Sequence, residues 1–255
     1  MSERLKDKVA IITGGGRGIG KAFALRFVEE GAKILIPDIN LENAEAVASE
    51  IKGKGGVAVA MRADISDEKS VNQIAEKAVQ QFGRADILIN NAGIWYGVDV
   101  TPWDQWKIAD WDRIFAVNVK GTWLCSKAIA PLMKKQSKGK IINIASNVPR
   151  VPAAQFFLPY ACTKGAVYTL THAMAWALGP SGINVNAIGP GLTATEASLA
   201  QKDIDTTYQF AVAAQSMQRR EQPSDLVGTA VFLASADSDF INGQVIYVDG
   251  GTVML

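Results

Sequence analysis

Residues 13–20 read TGGGRGIG, a glycine-rich turn between an apolar stretch rich in Val and Ile and an amphipathic one. Glycines at positions 14, 18 and 20 permit a tight turn and let the backbone approach a ligand closely. The helix predicted to follow presents free N–H groups and a positive dipole end, which suit a pyrophosphate. The strict G-x-G-x-x-G spacing is absent, so the turn alone is compatible with dinucleotide binding and with a purely structural role.

The rest of the chain continues this alternation of strand and helix. Strands are predicted at 8–13, 33–37, 57–62, 86–90, 140–145, 183–188 and 244–248. Apolar residues at three- and four-residue spacing predict helices at 19–30, 41–52, 66–82 and 108–134. Alternating units of this kind predict an α/β fold, a single Rossmann-type doubly wound domain with a seven-stranded parallel sheet. No linker or repeat divides residues 1–255 into two domains.

Two connections between predicted elements show neither helical nor strand periodicity of apolar residues. Residues 94–111 are rich in tryptophan, and residues 192–222 are polar and rich in Thr and Ala. Long connections in a compact domain are usually functional, so both are predicted to form substrate loops. A plain surface insertion is the alternative.

The composition excludes several classes of protein. The 26 basic and 25 acidic residues give a net charge of +1, which disfavours a nucleic-acid partner. One histidine, His172, and two cysteines, Cys125 and Cys162, are too few for a zinc site of four Cys/His ligands, so no metal is predicted. No apolar run reaches ~18 residues and the N-terminus leads straight into a strand, so we expect a soluble cytoplasmic protein without a membrane partner.

Polar and glycine-rich residues follow six predicted strands, where open α/β sheets bind ligands. Asp38 lies 24 residues beyond Gly14, where an acid that binds the adenosine ribose is expected. Its carboxylate would repel a 2′-phosphate and favour NAD over NADP, whereas Arg17 would favour a phosphate. The remaining strand ends carry Asp64, the sequence NNAG at 90–93, Ser146 and the sequence GPG at 189–191.

Tyr160 and Lys164 are four residues apart in a helical stretch and share one face of it. A cation ~4 Å from a phenol contributes ~4 kcal/mol at an effective dielectric of ~20, which would bring the phenolate within reach near neutral pH. Ser146 would then hydrogen-bond the reacting oxygen. Asn118 lies within a predicted helix, where Asn is unfavourable without a partner, and this indicates a structural or relay role.

Together these residues resemble the short-chain dehydrogenase/reductase family over the whole chain. The resemblance implies four catalytic residues: Asn118, Ser146, Tyr160 and Lys164. It implies cofactor binding by Gly14, Arg17, Gly18, Ile19, Gly20, Asp38, Asp64, Ile65, Asn91, Ala92, Gly93, Tyr160, Lys164, Pro190, Gly191, Thr193 and Thr195.

The resemblance also implies a role for each catalytic residue. Tyr160 is the general acid/base, Lys164 lowers the pKa of Tyr160 and holds the nicotinamide ribose, Ser146 positions the substrate oxygen, and Asn118 anchors a proton-relay water. A homotetramer built on the two long helices is implied as well.

The end of the chain looks most like family members that oxidise aryl secondary alcohols. The predicted function is hydride transfer between NAD(H) and a small-molecule secondary alcohol or ketone of hydrophobic or aromatic character. Trp95, Val148 and Phe157 are the predicted substrate contacts, with Tyr96, Val151, Phe156 and Leu158 as further wall residues. The alternatives are a 3-oxoacyl thioester reductase, a polyol or sugar dehydrogenase, and a catalytically silent nucleotide-binding regulator.

Overall fold

The fold is built on a seven-stranded parallel sheet, as the sequence predicts, and the structure gives the strand order β3-β2-β1-β4-β5-β6-β7. The computed structural model describes residues 3–95 and 101–254. The strands are β1 (Val9–Ile12), β2 (Lys33–Asp38), β3 (Ala58–Arg62), β4 (Ile87–Asn90), β5 (Gly139–Ile144), β6 (Ile183–Pro190) and β7 (Val245–Val248). Because the order reverses between β1 and β4, the strand ends open a crevice at that point.

Helices cover both faces of this sheet. They are α1 (Gly18–Glu29), α2 (Leu41–Gly53), α3 (Glu68–Phe82), α4 (Ile108–Phe115), α5 (Thr122–Lys135), α6 (Leu158–Leu178), α7 (Glu196–Leu199), α8 (Ile204–Ala214) and α9 (Pro223–Ala234). Alternate residues of β1 enter opposite cores: Ala10 and Ile12 join α1, α2 and α9, whereas Ile11 joins α3 and α5. Burial on both faces explains why the strands read as continuous apolar runs.

Two predicted elements differ from the structure. The single helix predicted over 108–134 is interrupted by a π-helical turn, Ala116–Gly121, which separates α4 from α5. The connection predicted over 192–222 contains α7 and α8, and the Thr195 hydroxyl caps α7 by accepting the Ser198 N–H at 3.2 Å. In both segments side chains bond to the backbone, and hydrophobic periodicity does not report such bonds.

Candidate active site

A cleft of about 1260 Å³ runs along the carboxyl ends of the strands, as expected for this topology. Most of the predicted site residues line it: Gly14, Arg17, Gly18, Ile19, Asp38, Asp64, Ile65, Asn91, Ala92, Gly93, Trp95, Ser146, Val148, Phe157, Tyr160, Lys164, Pro190, Gly191, Thr193 and Thr195. Gly20 and Asn118 do not line the cleft.

The glycine turn after β1 packs closely against the segment that follows β4. Gly14 has a φ of +64°, and a Cβ there would lie 2.9 Å from the Cα of Ala92. The Asn91 amide supports the turn by donating to the carbonyls of Thr13 and Gly14, each at 3.0 Å. A Cβ on Gly20 would collide with the Gly14 carbonyl, so Gly20 allows α1 to pack closely behind the turn.

The N-terminus of α1 holds an anionic oxygen. The Gly18 N–H donates to a carboxylate oxygen of Glu196 at 3.1 Å, and no side chain caps the helix from Arg17. Helix N-termini bind anions through such N–H groups and through the helix dipole. The glycine cradle and this anion-binding helix end together fit the pyrophosphate of a dinucleotide.

Asp38 is buried at the end of β2 and its carboxylate is fixed in place. One oxygen accepts the Gly16 N–H and the other accepts the Asn40 N–H, both at 2.9 Å. Each carboxylate oxygen retains a lone pair, and the side chain lines the cleft. Arg62 pairs with Asp38 in the β2–β3 register but does not line the cleft. This end of the cleft therefore offers a fixed acceptor suited to ribose hydroxyls.

Ser146, Tyr160 and Lys164 meet at the centre of the cleft. Ser146 follows β5, and its side chain lies close enough to the Tyr160 phenol to lower the pKa of that phenol. Lys164 is buried one turn further along α6, and its Nζ lies 5.5 Å from the centroid of the Tyr160 ring. The ammonium donates to the Ile144 carbonyl at 2.7 Å. The predicted face of α6 is thus directed at the end of β5.

Burial controls the ionisation of this group. Burial raises the pKa of Tyr160 to about 12, although its hydrogen bond with Ser146 lowers it. Burial also lowers the pKa of Lys164 to about 8. In this structure desolvation of the buried phenolate is the largest effect on the Tyr160 pKa, so the lowering towards neutrality that the Lys164 spacing predicts is not found. Tyr160 is a protonated hydroxyl at neutral pH, ready to donate.

Asn118 acts on the site through other groups. Its Oδ1 accepts the Ile94 N–H at 2.8 Å, and its Nδ2 donates to the Ile94 carbonyl and to Thr163 at 2.9 and 3.1 Å. These bonds join the π-helical turn to the segment after β4 and to α6. The side chain therefore has the predicted structural role, and the predicted relay water remains a proposal.

An aromatic wall lies beside Tyr160. The Trp95 ring meets the Phe157 ring edge-on at 5.7 Å and lies 6.2 Å from the Tyr160 ring. Val148 and Val151 continue this surface, and α8 contributes Phe210. The prediction is wrong for Phe156 and Leu158, which do not line the cleft. Tyr96 lies outside the described residues.

Comparison with known proteins identifies the family. A profile described as "Enoyl-(Acyl carrier protein) reductase" matches residues 14–253. The chain is 39% identical to the BbsD subunit of (2S)-[(R)-hydroxy(phenyl)methyl]succinyl-CoA dehydrogenase of Thauera aromatica, over 97% of each chain. It is 39% identical to galactitol 2-dehydrogenase of Agrobacterium fabrum, over 98% and 99% of the two chains. A short-chain type dehydrogenase/reductase from Mycobacterium marinum has the same fold, with a TM-score of 0.92, 32% identity and coverage of 99% and 98%.

The chain belongs to the short-chain dehydrogenase/reductase family. It is therefore an oxidoreductase that acts on a small molecule with NAD or NADP as cofactor. None of the helices in 3–95 and 101–254 has the length and apolar character to cross a membrane. The same residues contain no group of three or more His, Cys, Asp or Glu side chains that could hold a metal ion.

Glu221 supports the wall of the cleft after β6 and was missed by the sequence analysis. Its buried carboxylate accepts the Gly191 N–H at 2.9 Å and the Thr193 hydroxyl at 2.6 Å. Its carbonyl accepts the Ala194 N–H at 2.8 Å. Glu221 thus holds the connection after β6 in place. No local pattern marks it, because the contact joins residues about 30 positions apart.

The ionisation of Glu221 makes stability depend on pH. Burial raises its pKa from 4.5 to about 7, although the Thr193 and Gly191 hydrogen bonds lower it. The folded chain therefore binds this proton more tightly than the unfolded chain, and stability falls as pH rises from about 4.5 to about 7.

Glu221→Gln keeps the shape without the buried charge: its amide oxygen can accept the Gly191 N–H, and its amide N–H can donate to the Thr193 hydroxyl in place of the bond that the carboxylate accepts there. We expect it to be more stable than the parent by ~1–3 kcal/mol at about pH 8, and equally stable at about pH 4, measured by urea unfolding. Glu30→Gln is the control of opposite sign, because hydrogen bonds from Arg26 and Arg4 outweigh burial and keep the pKa of Glu30 low. Loss of stability in Glu221→Gln at about pH 8 would contradict this prediction.

Proposed function

We propose that this protein transfers a hydride between NAD(H) and a hydrophobic or aromatic secondary alcohol or ketone. The observation that carries the proposal is the position of the Tyr160 hydroxyl, which contacts Ser146 beside the Trp95–Phe157 wall in the cleft that also holds Asp38. Bound NAD(H) would supply or accept the hydride. In reduction, Tyr160 donates its proton to the carbonyl oxygen, and in oxidation it takes the proton from the alcohol.

The other predicted residues support this transfer. Ser146 positions the substrate oxygen, Lys164 holds the nicotinamide ribose, and Asn118 anchors a relay water. The cofactor-binding set extends from the glycine turn and Asp38 to the connection held by Glu221. Asp38 favours NAD, since its carboxylate would meet a 2′-phosphate with like charge.

The assembly proposed for this enzyme is a cytoplasmic homotetramer. Trp123 on α5 and Trp176 on α6 are 44% and 85% exposed in the single chain. Large exposed aromatic side chains on the two long helices are suited to a contact between subunits. Sedimentation of the purified protein tests the tetramer.

The character of the wall favours an aryl or bulky alkyl substrate. Val148 and Phe157 offer no side-chain hydrogen bond, and each unpaired substrate hydroxyl would cost ~1–3 kcal/mol on burial. The relative from Thauera aromatica has a name that contains a hydroxy(phenyl)methyl group, a secondary aryl carbinol. Polyol oxidation is the second candidate function, because another relative is named galactitol 2-dehydrogenase.

A substrate comparison tests this preference. We expect kcat/KM for 1-phenylethanol to exceed that for sorbitol by at least ~100-fold in one NAD-linked assay, because two or more unpaired hydroxyls cost that much. A higher value for sorbitol would overturn the hydrophobic pocket and leave hydride transfer in place. Reduction of a 3-oxoacyl thioester at a still higher kcat/KM would assign the thioester reductase alternative instead.

A further inference from the structure

An arginine without a carboxylate partner lies on the substrate side of the cleft. Arg150 ends the 3₁₀ turn Val148–Arg150, four residues after Ser146, and its exposed side chain lines the cleft. Its guanidinium carbon lies 5.9 Å from the centroid of the Tyr168 ring. The Tyr168 hydroxyl donates to the carbonyl of Ser146, which ties this ring to the catalytic end of β5. Arg150 therefore lines the same cleft as Ser146 and Tyr160 and contacts a ring that is bonded to the Ser146 backbone.

Two acids that hold segments lining the cleft are bound to other groups. Asp249 accepts from Asn147 and from the N–H groups of Gly251, Thr252 and Val253. Glu221 is bound to the connection after β6. Across the described ranges 3–95 and 101–254, no salt bridge includes Arg150.

Arg113 provides the contrast within the same cleft. It also lines the cleft, but Asp110 accepts from its guanidinium at 3.2 Å. Of these two arginines, only Arg150 has guanidinium N–H groups that are not bonded to a carboxylate and can bind a ligand. A guanidinium binds a carboxylate through two parallel N–H bonds, which neutral groups do not match.

We propose that the substrate carries a carboxylate and that Arg150 binds it. The proposal rests on the proposed function and deepens it: the substrate class is a hydroxy acid or oxo acid whose apolar body contacts the Trp95–Phe157 wall. The carboxylate then lies towards Arg150 while the carbinol or carbonyl oxygen meets Ser146 and Tyr160. The cleft would thus bind the carboxylate end of the substrate by charge and its apolar end by hydrophobic contact.

Matched acids and esters test this assignment. The probes are 3-acetylbenzoate, 4-acetylbenzoate and 3-benzoylpropanoate, each beside its methyl ester, reduced with NADH by the full chain. The readout is the ratio of kcat/KM for each acid to that for its ester. At least one acid should exceed its ester, and Arg150→Gln should lower that ratio by ~30-fold, the size of a charge-assisted pair.

Two further variants separate a contact from a general charge effect. Arg150→Lys keeps the charge without the paired N–H donors of the guanidinium, and it should retain part of the preference for the acid over the ester. Arg113→Gln removes the same charge from the arginine held by Asp110 and should leave the ratio unchanged. Added KCl should lower the ratio in the parent, because exposed charges are screened. An equal fall in the ratio for Arg113→Gln would overturn the assignment in favour of the summed charge of the cleft.

The remaining outcomes also decide the matter. If every ester is preferred and Arg150→Gln changes no ratio, Arg150 does not read the substrate. If neither acids nor esters turn over with NADH or NADPH, the proposed function fails. Thermal shift with 3-benzoylpropanoate then decides on Arg150 separately: stabilisation of the parent but not of Arg150→Gln keeps the carboxylate site, and equal behaviour removes it.

Discussion

Tyr160→Phe should lower kcat by at least ~100-fold, because proton transfer to the reacting oxygen contributes 10² to 10⁴. The substitution removes only the hydroxyl that contacts Ser146 and leaves the ring beside Trp95. Since the ring and Lys164 remain, NADH binding should survive. Steady-state rates together with NADH fluorescence titration separate these two effects.

Tyr247→Phe is the matched control for this variant. Tyr247 lies on β7, packs against the Tyr168 ring at 6.3 Å and does not line the cleft. We expect it to keep most of the activity. If Tyr160→Phe retains more than a tenth of the parent kcat, Tyr160 is not the proton donor.

The unmodified enzyme should prefer NAD over NADP by ~100-fold in kcat/KM, about 2.7 kcal/mol. The cause is the fixed carboxylate of Asp38, which the Gly16 and Asn40 N–H groups hold at the cleft wall. A 2′-phosphate would meet this charge without a counter-ion from Ile39, the next residue.

Asp38→Ala and Asp38→Asn should both lower the ratio of kcat/KM with NAD to kcat/KM with NADP. Asp38→Asn removes the charge at nearly constant size, although its amide nitrogen replaces one of the two oxygens that accept the Gly16 and Asn40 N–H groups. Kinetics with both cofactors at one saturating alcohol concentration provide the measurement. A preference for NADP by the parent would show that Arg17, which also lines the cleft, outweighs Asp38.

The strands could be predicted because burial on both faces of the sheet makes each strand a continuous apolar run in the sequence. Ala10, Ile11 and Ile12 are all buried although they face two different cores. The polar residues at the strand ends follow from the same reasoning, since parallel strands present their carboxyl ends to one crevice. Asp38, Ser146 and the 189–191 turn therefore lie where the sequence placed them.

The features that escaped prediction depend on contacts distant in sequence. The π-helical turn carries Asn118, which bonds the backbone of Ile94, 24 residues earlier. Glu221 reaches Gly191 across 30 residues. Neither contact changes the hydrophobic period of its own segment.

The pKa of Tyr160 could not be predicted from the sequence for a different reason. The sequence supplies the Lys164 charge at the right helical spacing, and Coulomb's law alone then predicts a lowered pKa. Burial of both groups enters only with the tertiary structure, and it reverses the direction for the phenol. The helical spacing therefore predicts that Tyr160 and Lys164 lie together, but it does not predict the direction of the Tyr160 pKa shift.

Isotope transfer tests hydride exchange between NAD and a secondary carbinol most directly. The substrate is 1-phenylethanol bearing deuterium on the carbinol carbon, incubated with the full chain and NAD, with the products examined by mass spectrometry. We predict one deuterium in NADH for each acetophenone formed, and loss of this transfer in Tyr160→Phe. Cofactor binding without deuterium transfer from this or any other secondary alcohol would contradict the account and identify a silent nucleotide-binding protein.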